Sequence, residues 1–367
     1  MQEYVSKYFD NVSDPRSQRN QRHNFIMLIG TSLMAMLSGV ETFSGMQDYV
    51  ECHAEEIIKY FNLSGGVPSH DTYQRFWDGL NPKEFMYSFE MFTDSLCNLS
   101  SEIINIDGKT IRNSGHKKPL HIVSAWCRNN QLVLGQEKVH EKSNEITAIP
   151  KLLKLLDIEN KIITLDAMGA QRDRCEQIIA QGGDYVICLK KNQGNLYEDI
   201  RDHLADEEYH DYINEDNDKG HGRIERRIAI TTGEIDWLKN IHNWPGLKSI
   251  GVVRSHTIKV KSGKESSDTR YYISSLEPNA GRLNEIARSH WSIENQLHWR
   301  LDVVFNEDKA CIKNDNAAEN MDILRKWALN LMSKAKEKTS QSIKSVMRKN
   351  SMSFKYLLNN VKKFFRA

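Results

Sequence analysis

Two aspartates are placed within or directly after apolar, β-branched runs of the sequence. Asp166 follows the run 162–165, and Asp107 lies in the middle of a similar run, 103–112. A run of this kind is typical of a buried strand, and functional groups in open α/β sheets gather at the C-terminal edge of the strands. Taken alone, Asp166 is equally well explained as a turn-initiating residue. The second aspartate, on a strand of the same kind, favours a functional site.

Asp107 and Asp166 are 59 residues apart, and on adjacent strands their carboxylates would face each other. Two carboxylates that close repel each other unless positive charge neutralises them. A pair of divalent cations does so and is also a catalyst of phosphoryl transfer. Because the predicted ligands are all oxygen atoms, the cation is expected to be Mg²⁺, with Mn²⁺ as a substitute, rather than zinc.

A third carboxylate, Glu294, lies in a stretch with helical spacing of its apolar residues, between His290 and His298 on the same face. Solvent exposure is the ordinary position of a Glu in an amphipathic helix. The flanking histidines favour instead a face directed towards a site. Glu307 and Asp308, the other acidic residues of this region, follow the point where the helical spacing weakens and are predicted to lie in a loop.

The elements that must position these carboxylates begin at residue 103, where the periodicity changes from helical to strand-like. Strands are predicted at 103–112, 120–128, 131–139, 162–165 and 184–189, with helices at 145–156 and 171–181. The order of three strands, helix, strand, helix, strand is the layout of ribonuclease-H-like cores. Antiparallel pairing of the first three strands and a crossover helix would place the first and fourth strands side by side.

Residues 190–275 interrupt this α/β core. The segment 198–218 holds ten acidic residues and one basic residue and is predicted to be a solvated surface helix and loop. Strands are predicted after it, at 222–232, 247–256 and 268–275, which together form a β-rich insertion. Helical spacing then returns from Gly281 to Val304, with Glu294 in the middle.

The first 98 residues are predicted to be helical. The predicted helices are 25–37, capped by Asn24; 42–61, ended by the Gly65 to Pro68 break; and 72–80, capped by Asp71 and carrying Arg75. A helix, a tight turn and a short aromatic and basic helix suit a DNA-docking unit. They suit an ordinary helical bundle equally well.

The C-terminal segment 334–367 is strongly basic, since it contains ten Lys or Arg residues and one acidic residue, whereas the whole chain has a net charge of +1. This charge predicts contact with a polyanion such as nucleic acid. A solvated amphipathic helix end is the alternative, and the apolar residues Phe354, Leu357 and Leu358 are also compatible with packing on a partner subunit.

The composition, 39% apolar and 27% charged over 367 residues, predicts a soluble globular protein with two or three structural units. The apolar run 25–37 is too short for a membrane span, and no export signal precedes it. Six widely separated cysteines indicate neither a disulfide framework nor a zinc knuckle. These features predict a cytoplasmic protein.

Longer stretches of the chain resemble the DDE transposases of bacterial insertion sequences, specifically the H-repeat-associated proteins of Rhs elements. The stretches that carry the resemblance are DPRSQRNQRHN, PSHDTYQRFWDGL, IDGKTIRNS, HIVSAWC, KSNEITAIPKLLKLLDI, TLDAMGAQ, GGDYVICLKKNQ, HGRIERR, WPGLKSIG, YYISSL, ARSHWSIENQLHWRLDVVFNED and NAAENMDILRKWALNL. They cover roughly residues 8–332 in one order.

The resemblance implies a transposase that binds the terminal inverted repeats of an element, cleaves double-stranded DNA and transfers the freed strand to target DNA. Asp107, Asp166 and Glu294 would be its catalytic and Mg²⁺-binding triad, and a homodimer would pair two ends. The chain would then divide into a helical DNA-binding region, 1–98, a ribonuclease-H-like core, 99–190 and 276–333, a β-rich insertion, 191–275, and a basic tail, 334–367.

The sequence departs from the family pattern around Glu294. Many relatives with a β insertion carry Tyr, Arg and Lys at the positions occupied here by Ala287, His290 and Leu301. Substitute DNA contacts are therefore predicted at Arg288, His298 and Arg300. Further predicted DNA contacts are Arg16, Arg19, Arg22, Arg75, Lys109, Lys190, Arg223 and Arg226.

Three other functions are compatible with parts of the pattern. A stand-alone metal-dependent nuclease would cleave DNA without joining it, and a domesticated DNA-binding protein would bind without cleaving. A hydrolase with a metal site at His290, Glu294 and His298 would lack the usual H-E-x-x-H spacing. It would also leave both aspartates without a role.

Overall fold

The computed structural model describes residues 6–96 except 18 and 20, 103–140, 144–206, 208, 211–220, 222–336 and 341–365. The strands are β1 Ile103–Ile111, β2 Leu120–Cys127, β3 Leu132–Lys138, β4 Ile162–Leu165, β5 Asp184–Leu189, β6 Tyr212–Gly220, β7 Arg223–Thr232, β8 Ser249–Lys259 and β9 Glu265–Ser274. The α-helices are α1 Phe25–Leu37, α2 Phe43–Cys52, α3 Ala54–Ile57, α4 His70–Gly79, α5 Pro82–Leu96, α6 Glu145–Leu155, α7 Arg172–Ala180, α8 Asn195–His203, α9 Asp236–His242, α10 Ala280–Ser292, α11 Trp299–Val303, α12 Asp315–Lys336, α13 Ile343–Met352 and α14 Phe354–Phe365.

All of these strands belong to one mixed sheet with the order β3-β2-β1-β4-β5-β9-β8-β7-β6. Strand β1 is antiparallel to β2 and parallel to β4. The pairing of the first and fourth strands is therefore confirmed. Asn105 and Thr164 are the last pair in the β1 and β4 register, and Asp107 and Asp166 each follow two residues later along their segments.

The insertion continues the core sheet, since β9 pairs antiparallel with β5. The prediction of a solvated helix and loop for 198–218 is wrong in its second half, because Tyr212–Gly220 is the edge strand β6 and pairs with β7 along its whole length. Acidic residues are tolerated on this strand because Arg288 of α10 forms ion pairs with Asp216 and Asp218. The negative charge of these two aspartates is thus neutralised by an arginine of α10.

Two N-terminal predictions require correction. The helix predicted at 42–61 is divided into α2 and α3 at His53. The helix predicted at 72–80 begins at His70, because the Ser69 side chain, not that of Asp71, accepts the capping hydrogen bond from the Thr72 amide. Asn24 caps α1 as predicted, by accepting from the Met27 amide.

The basic C-terminal segment is folded onto the N-terminal helices. Phe354 and Leu357 of α14 are buried in the same hydrophobic core as α1, α4 and α5, and the Asn350 amide of α13 donates to the carbonyl oxygen of Leu37. The apolar residues of the tail therefore pack within the chain. Among the described residues, no helix is long and apolar enough to cross a bilayer.

Helix α12 connects this helical layer to the sheet. Its Trp327 is buried among aromatic rings of the N-terminal helices, including Phe85 and Phe92, while its Lys326 donates to Ser124 of β2. Ser124 is the residue opposite Asp107 in the β1 and β2 register. Through Ser124, α12 thus links the helical layer to β2, the neighbour of the strand that carries Asp107.

Candidate active site

Asp107 lies in β1, two residues beyond the last residue of this strand that pairs with β4. Burial, together with the negative charges of Asp166, Glu145 and Glu294, raises the pKa of its carboxyl to about 7, although the hydrogen bond from the Gly108 amide lowers it. A raised pKa of this kind means that the folded protein disfavours the ionised carboxylate. The position is therefore one that a positive charge would stabilise.

Asp166 follows the last residue of β4 and caps the turn after it. Its Oδ1 accepts hydrogen bonds from the amides of Met168, at 2.9 Å, and Gly169, at 3.1 Å. The turn-initiating interpretation is thus correct. It does not compete with a functional role, since the same turn aims the carboxyl group at the strand tips, within electrostatic reach of Asp107.

Glu294 lies in a π-helical segment, Ile293–His298, between α10 and α11. Such segments are rare and are frequent at functional sites. Ile293 and Leu297 are fully buried and anchor the segment. Burial raises the pKa of Glu294, the nearby charges of Arg270 and Lys190 lower it, and Asp166 raises it. Glu294 is thus an exposed side chain within electrostatic reach of Asp166.

Two histidines of the helical stretch that carries Glu294 face the strands, and one of them is hydrogen-bonded there. His290 Nδ1 is 2.8 Å from Thr164 Oγ1, and the Thr164 hydroxyl donates to Asn105 Oδ1 at 2.9 Å, so one hydrogen-bonded row joins α10, β4 and β1. His298 Nδ1 is 3.9 Å from Asp107 Oδ2. Burial lowers the pKa of His290 to about 4 and that of His298 to about 3. Both rings are therefore neutral at neutral pH.

A cleft of about 310 Å³ leads to Glu294 between α10 and the strands of the insertion. Its lining includes Arg223, Arg227, Arg270 and Arg288. The Arg270 guanidinium lies 3.8 Å from the centroid of the Trp291 ring. Arg227, Arg270 and Arg288 are paired with carboxylates, whereas Arg223 is exposed. Such a groove can bind a polyanionic ligand if the ligand takes the place of these carboxylates.

The predicted DNA contacts fall into two groups. Arg19, Arg22, Arg75, Lys190, Arg223 and Arg226 are exposed, although Arg226 is paired with Glu215. The others are engaged within the fold. Arg16 binds Asp14 and the carbonyl oxygen of His23, and Arg300 donates to Gln131. Arg288 pairs with the β6 aspartates, and His298 is directed at Asp107.

Lys109 does not face solvent in this structure, contrary to its prediction as a DNA contact. Its ammonium group donates to Asp302 at 2.7 Å and to Glu307 at 2.6 Å. Glu307 is fully buried, whereas Asp308 accepts from the Arg112 amide. Both Glu307 and Asp308 are thus engaged by other groups, which leaves Glu294 as the carboxylate of this region that reaches the strand tips.

The donor set of Asp107, Asp166 and Glu294 fits a hard divalent cation, because the three carboxyl groups supply only oxygen, and the negative charge of Asp166 raises the pKa of both Asp107 and Glu294. Within the described ranges, no three His, Cys, Asp or Glu side chains are gathered tightly enough to hold one ion together.

Sequence reasoning missed two residues of the site. Arg270 follows a run of exposed polar residues on β9, and no local pattern distinguishes it from them. Glu145 begins α6 directly after Asn144 in the KSNEI stretch and belongs to the charges that act on Asp107. Glu145 could have been identified from the sequence as a carboxylate at the start of the crossover helix, next to the strand tips.

The profile of the family described as "Transposase DDE domain" matches residues 98–331, and that of a DDE-associated region matches residues 6–93. The protein YbfL of Escherichia coli (strain K12) is 37% identical over 96% of this chain and 96% of its own length. The "H repeat-associated putative transposase YhhI" of the same organism is also 37% identical, with the same coverage of both chains.

Among solved structures, a piggyBac transposase in a synaptic complex with hairpin DNA aligns over 99% of this chain and 79% of that chain. The TM-score is 0.44 and the sequence identity is 10%. A TM-score this low does not establish a common fold.

Proposed function

Because the chain belongs to the DDE transposase family, we propose that it binds the ends of an insertion sequence, cleaves the DNA there and joins the freed 3′ ends to target DNA. The family membership confirms the resemblance to the H-repeat-associated transposases. The observation that carries the proposal is the approach of Asp107, Asp166 and Glu294, from two strands and one helix, to the same edge of the sheet.

The proposal includes a ribonuclease-H-like core. It is supported by the strand order β3-β2-β1-β4-β5, in which β2 is antiparallel to its neighbours and β1, β4 and β5 are parallel. In this arrangement the insertion extends the sheet beyond β5. The helix that leads to Glu294, α10, packs over one face of the sheet.

Asp107, Asp166 and Glu294 would hold Mg²⁺ or Mn²⁺ in this reaction. When bound, such cations lower the pKa of the attacking water and stabilise negative charge on the leaving 3′ oxygen. The chain itself contributes the placement of the three carboxylates. The Asp166 turn, the Thr164 and His290 hydrogen bond and the buried residues Ile293 and Leu297 each fix one part of that placement.

DNA would reach Glu294 through the arginine-lined cleft, and Lys190, which is exposed and acts electrostatically on Glu294, would add a further positive charge. The N-terminal region, 1–98, would dock the element's end through Arg19, Arg22 and Arg75, which are exposed. We further propose a homodimer that pairs two ends, and action at the nucleoid in the bacterial cytoplasm. The relatives named as transposases support this assignment.

The decisive experiment uses the purified full chain and a plasmid that carries its coding segment with the DNA on both sides. With Mg²⁺ or Mn²⁺ present, we expect a nick at the element's end that leaves a 3′-OH, followed by joined products. Cleavage without joining would indicate the stand-alone nuclease, and binding without cleavage would indicate the domesticated DNA-binding protein.

The basic tail yields a separate prediction about DNA affinity. Its removal would expose the core that Phe354 and Leu357 help to fill, so charge substitution is the cleaner change. Replacing the exposed residues Lys344, Arg348, Lys349 and Lys355 by Gln should flatten the dependence of log affinity on log salt. The slope falls by about 0.9 for each lost phosphate contact on duplex DNA.

The matched control replaces Lys151 and Lys154, which are exposed on α6, by Gln. Filter binding to the element's end at several salt concentrations measures both slopes. A tail variant whose slope equals that of the wild type would place α13 and α14 away from DNA.

A further inference from the structure

We propose that the ion pair of Lys109 and Asp302 positions Glu294 for cation binding, by fixing the helix that follows Glu294 on the strand that carries Asp107. The inference rests on the proposed function, because it gives this pair a role in holding the cation-binding carboxylates. Neither residue would touch the cation or the DNA, so both are positioning residues.

Alternate residues of β1 point to the same face of the sheet, and on this face they meet the helical stretch that contains Glu294. The Asn105 side-chain amide donates to Ser289 Oγ at 3.3 Å. Two residues further along the strand, Asp107 Oδ2 is 3.9 Å from His298 Nδ1. The helical stretch therefore advances along β1 in the direction of the strand.

Lys109 continues this row at the far end of the helical stretch. Its ammonium group donates to Asp302 Oδ1 in α11 at 2.7 Å, and it also donates to Glu307 Oε2 at 2.6 Å. The Lys109 side chain is only 10% exposed, so water and salt screen the pair less than they screen a surface pair. The pair thus joins α11 to β1 two residues beyond Asp107.

A second anchor holds the same helical stretch before Glu294. His290 Nδ1 is 2.8 Å from the hydroxyl oxygen of Thr164 in β4, and Thr164 is two residues before Asp166. Glu294 lies between the two anchors, four residues after His290 and eight residues before Asp302. The helical stretch is thus tied to the strands of both other carboxylates of the triad.

The backbone between the two anchors is irregular, which makes an anchor on each side necessary. Residues 293–298 form a π-helical segment, in which i→i+5 hydrogen bonds replace the i→i+4 hydrogen bonds of an α-helix. A change of this segment to regular α-helix would rotate the helix after it relative to the helix before it. His290 fixes the helix before the segment, and Lys109 fixes the helix after it. Such precision matters for Glu294, because a functional site tolerates displacements of only about 0.5 Å.

Asp302 is the residue of the pair that can be changed most safely. Replacing Lys109 would leave the fully buried Glu307 without its partner, which would endanger the fold. Asp302→Ala leaves the contact between Lys109 and Glu307 in place, and Ala is compatible with the helix α11. Asp302→Glu is the conservative variant, since its carboxylate can still accept from Lys109.

The chain offers a matched control in Asp308. Its Oδ1 is 3.4 Å from the same Lys109 ammonium group, so Asp302→Ala and Asp308→Ala each remove one carboxylate next to this lysine. Asp308 follows Asn306, whose positive φ of 45° lies outside the helical range and separates Asp308 from α11. A purely electrostatic effect on the triad should appear in both variants. A positioning effect should appear in Asp302→Ala alone.

The experiment titrates the purified full chain with Mn²⁺ and follows the unbound Mn²⁺ by electron paramagnetic resonance, so that neither DNA nor activity is needed. Glu294→Gln identifies the part of the Mn²⁺ binding that belongs to the triad. Loss of a group that orients a metal ligand typically lowers metal affinity about 10- to 100-fold, so we expect Asp302→Ala to weaken this binding by at least about 10-fold. Asp302→Glu and Asp308→Ala should bind Mn²⁺ like the wild type.

Cleavage of the plasmid described above gives a second measurement. Asp302→Ala should need about 10-fold more Mn²⁺ for half-maximal cleavage and should approach the wild-type rate at saturating Mn²⁺, since saturation restores occupancy of the site. A merely structural role of Asp302 would lower the free energy of unfolding, measured by urea denaturation, without shifting the Mn²⁺ dependence.

Unchanged Mn²⁺ affinity in Asp302→Ala would overturn the inference and leave the proposed function intact, and so would an equal loss of affinity in Asp302→Ala and Asp308→Ala. A wild type that binds Mn²⁺ through Glu294 but does not cleave the plasmid would contradict the proposed function alone. A wild type whose Mn²⁺ binding does not depend on Glu294 would overturn the inference, because no cation site would then be present for the ion pair to position.

Discussion

Glu294→Gln is expected to lower cation-dependent cleavage by several orders of magnitude while the free energy of unfolding stays within about 0.5 kcal/mol of the wild type. The substitution keeps the shape of the side chain and removes its charge, so a metal ligand is lost from a group that is only partly buried. Ile293 and Leu297, which anchor the π-helical segment, are unchanged. Plasmid cleavage and urea denaturation on the same preparations measure the two quantities.

Asp107→Asn and Asp166→Asn should have the same effect and should keep binding to the element's end. In Asp166→Asn the side-chain oxygen can still accept from the Met168 and Gly169 amides, so the turn is retained. The matched control is Glu285→Gln, an exposed Glu of the same helix paired with Arg282, which should cleave normally. Full cleavage by Glu294→Gln would remove this residue from the triad.

Lys326→Met is expected to destabilise the fold by about 3–5 kcal/mol, the cost of leaving a buried charge without its partner. Lys326 is 2% exposed and Asp322 is fully buried, and their side chains are 3.0 Å apart. Lys326 also donates to Ser124 and Gln136 of the sheet. The free energy of unfolding from urea titration is the measurement.

The double substitution Lys326→Met with Asp322→Leu should recover much of that loss, because replacing both members of a buried pair by apolar residues removes the uncompensated charge. The surface pair of Lys151, which is exposed, and Glu137, which is half-buried, provides the comparison. Lys151→Met should cost no more than about 1 kcal/mol. Equal effects at the buried and exposed pairs would show that Lys326 is not needed to hold α12 on the sheet.

The elements near the carboxylates could be predicted closely because their signals are local. An apolar run followed by Asp166 marks β4, the run around Asp107 marks β1, and the period of three to four residues marks α10 to α11. The choice of Glu294 over Glu307 also followed from sequence, since helical spacing weakens before Glu307. The structure adds the π-helical turn at Glu294, which no periodicity rule indicates.

The functions of charged residues were much less predictable, because the charge of a side chain does not indicate which group it will pair with. Lys109 and Arg288 are indistinguishable in sequence from exposed basic residues, yet each is engaged by carboxylates that lie far along the chain. The acidic segment before β7 likewise suggested a solvated loop, while its pairing partner and Arg288 make it a strand. Pairing across long sequence distances decides these cases, and composition cannot supply it.

The sequence by itself determined the family, the triad candidates and the strand and helix order of the core, since each depends on residue types at short spacing. Only the tertiary structure decided that the insertion extends the core sheet, that the basic tail fills the N-terminal core, and that Glu145 lies within electrostatic reach of Asp107. The physical reason is that these contacts join segments far apart in the chain, and the local propensity of each segment does not determine which other segment it contacts. Burial and hydrogen bonding select their partners only when the whole chain is folded.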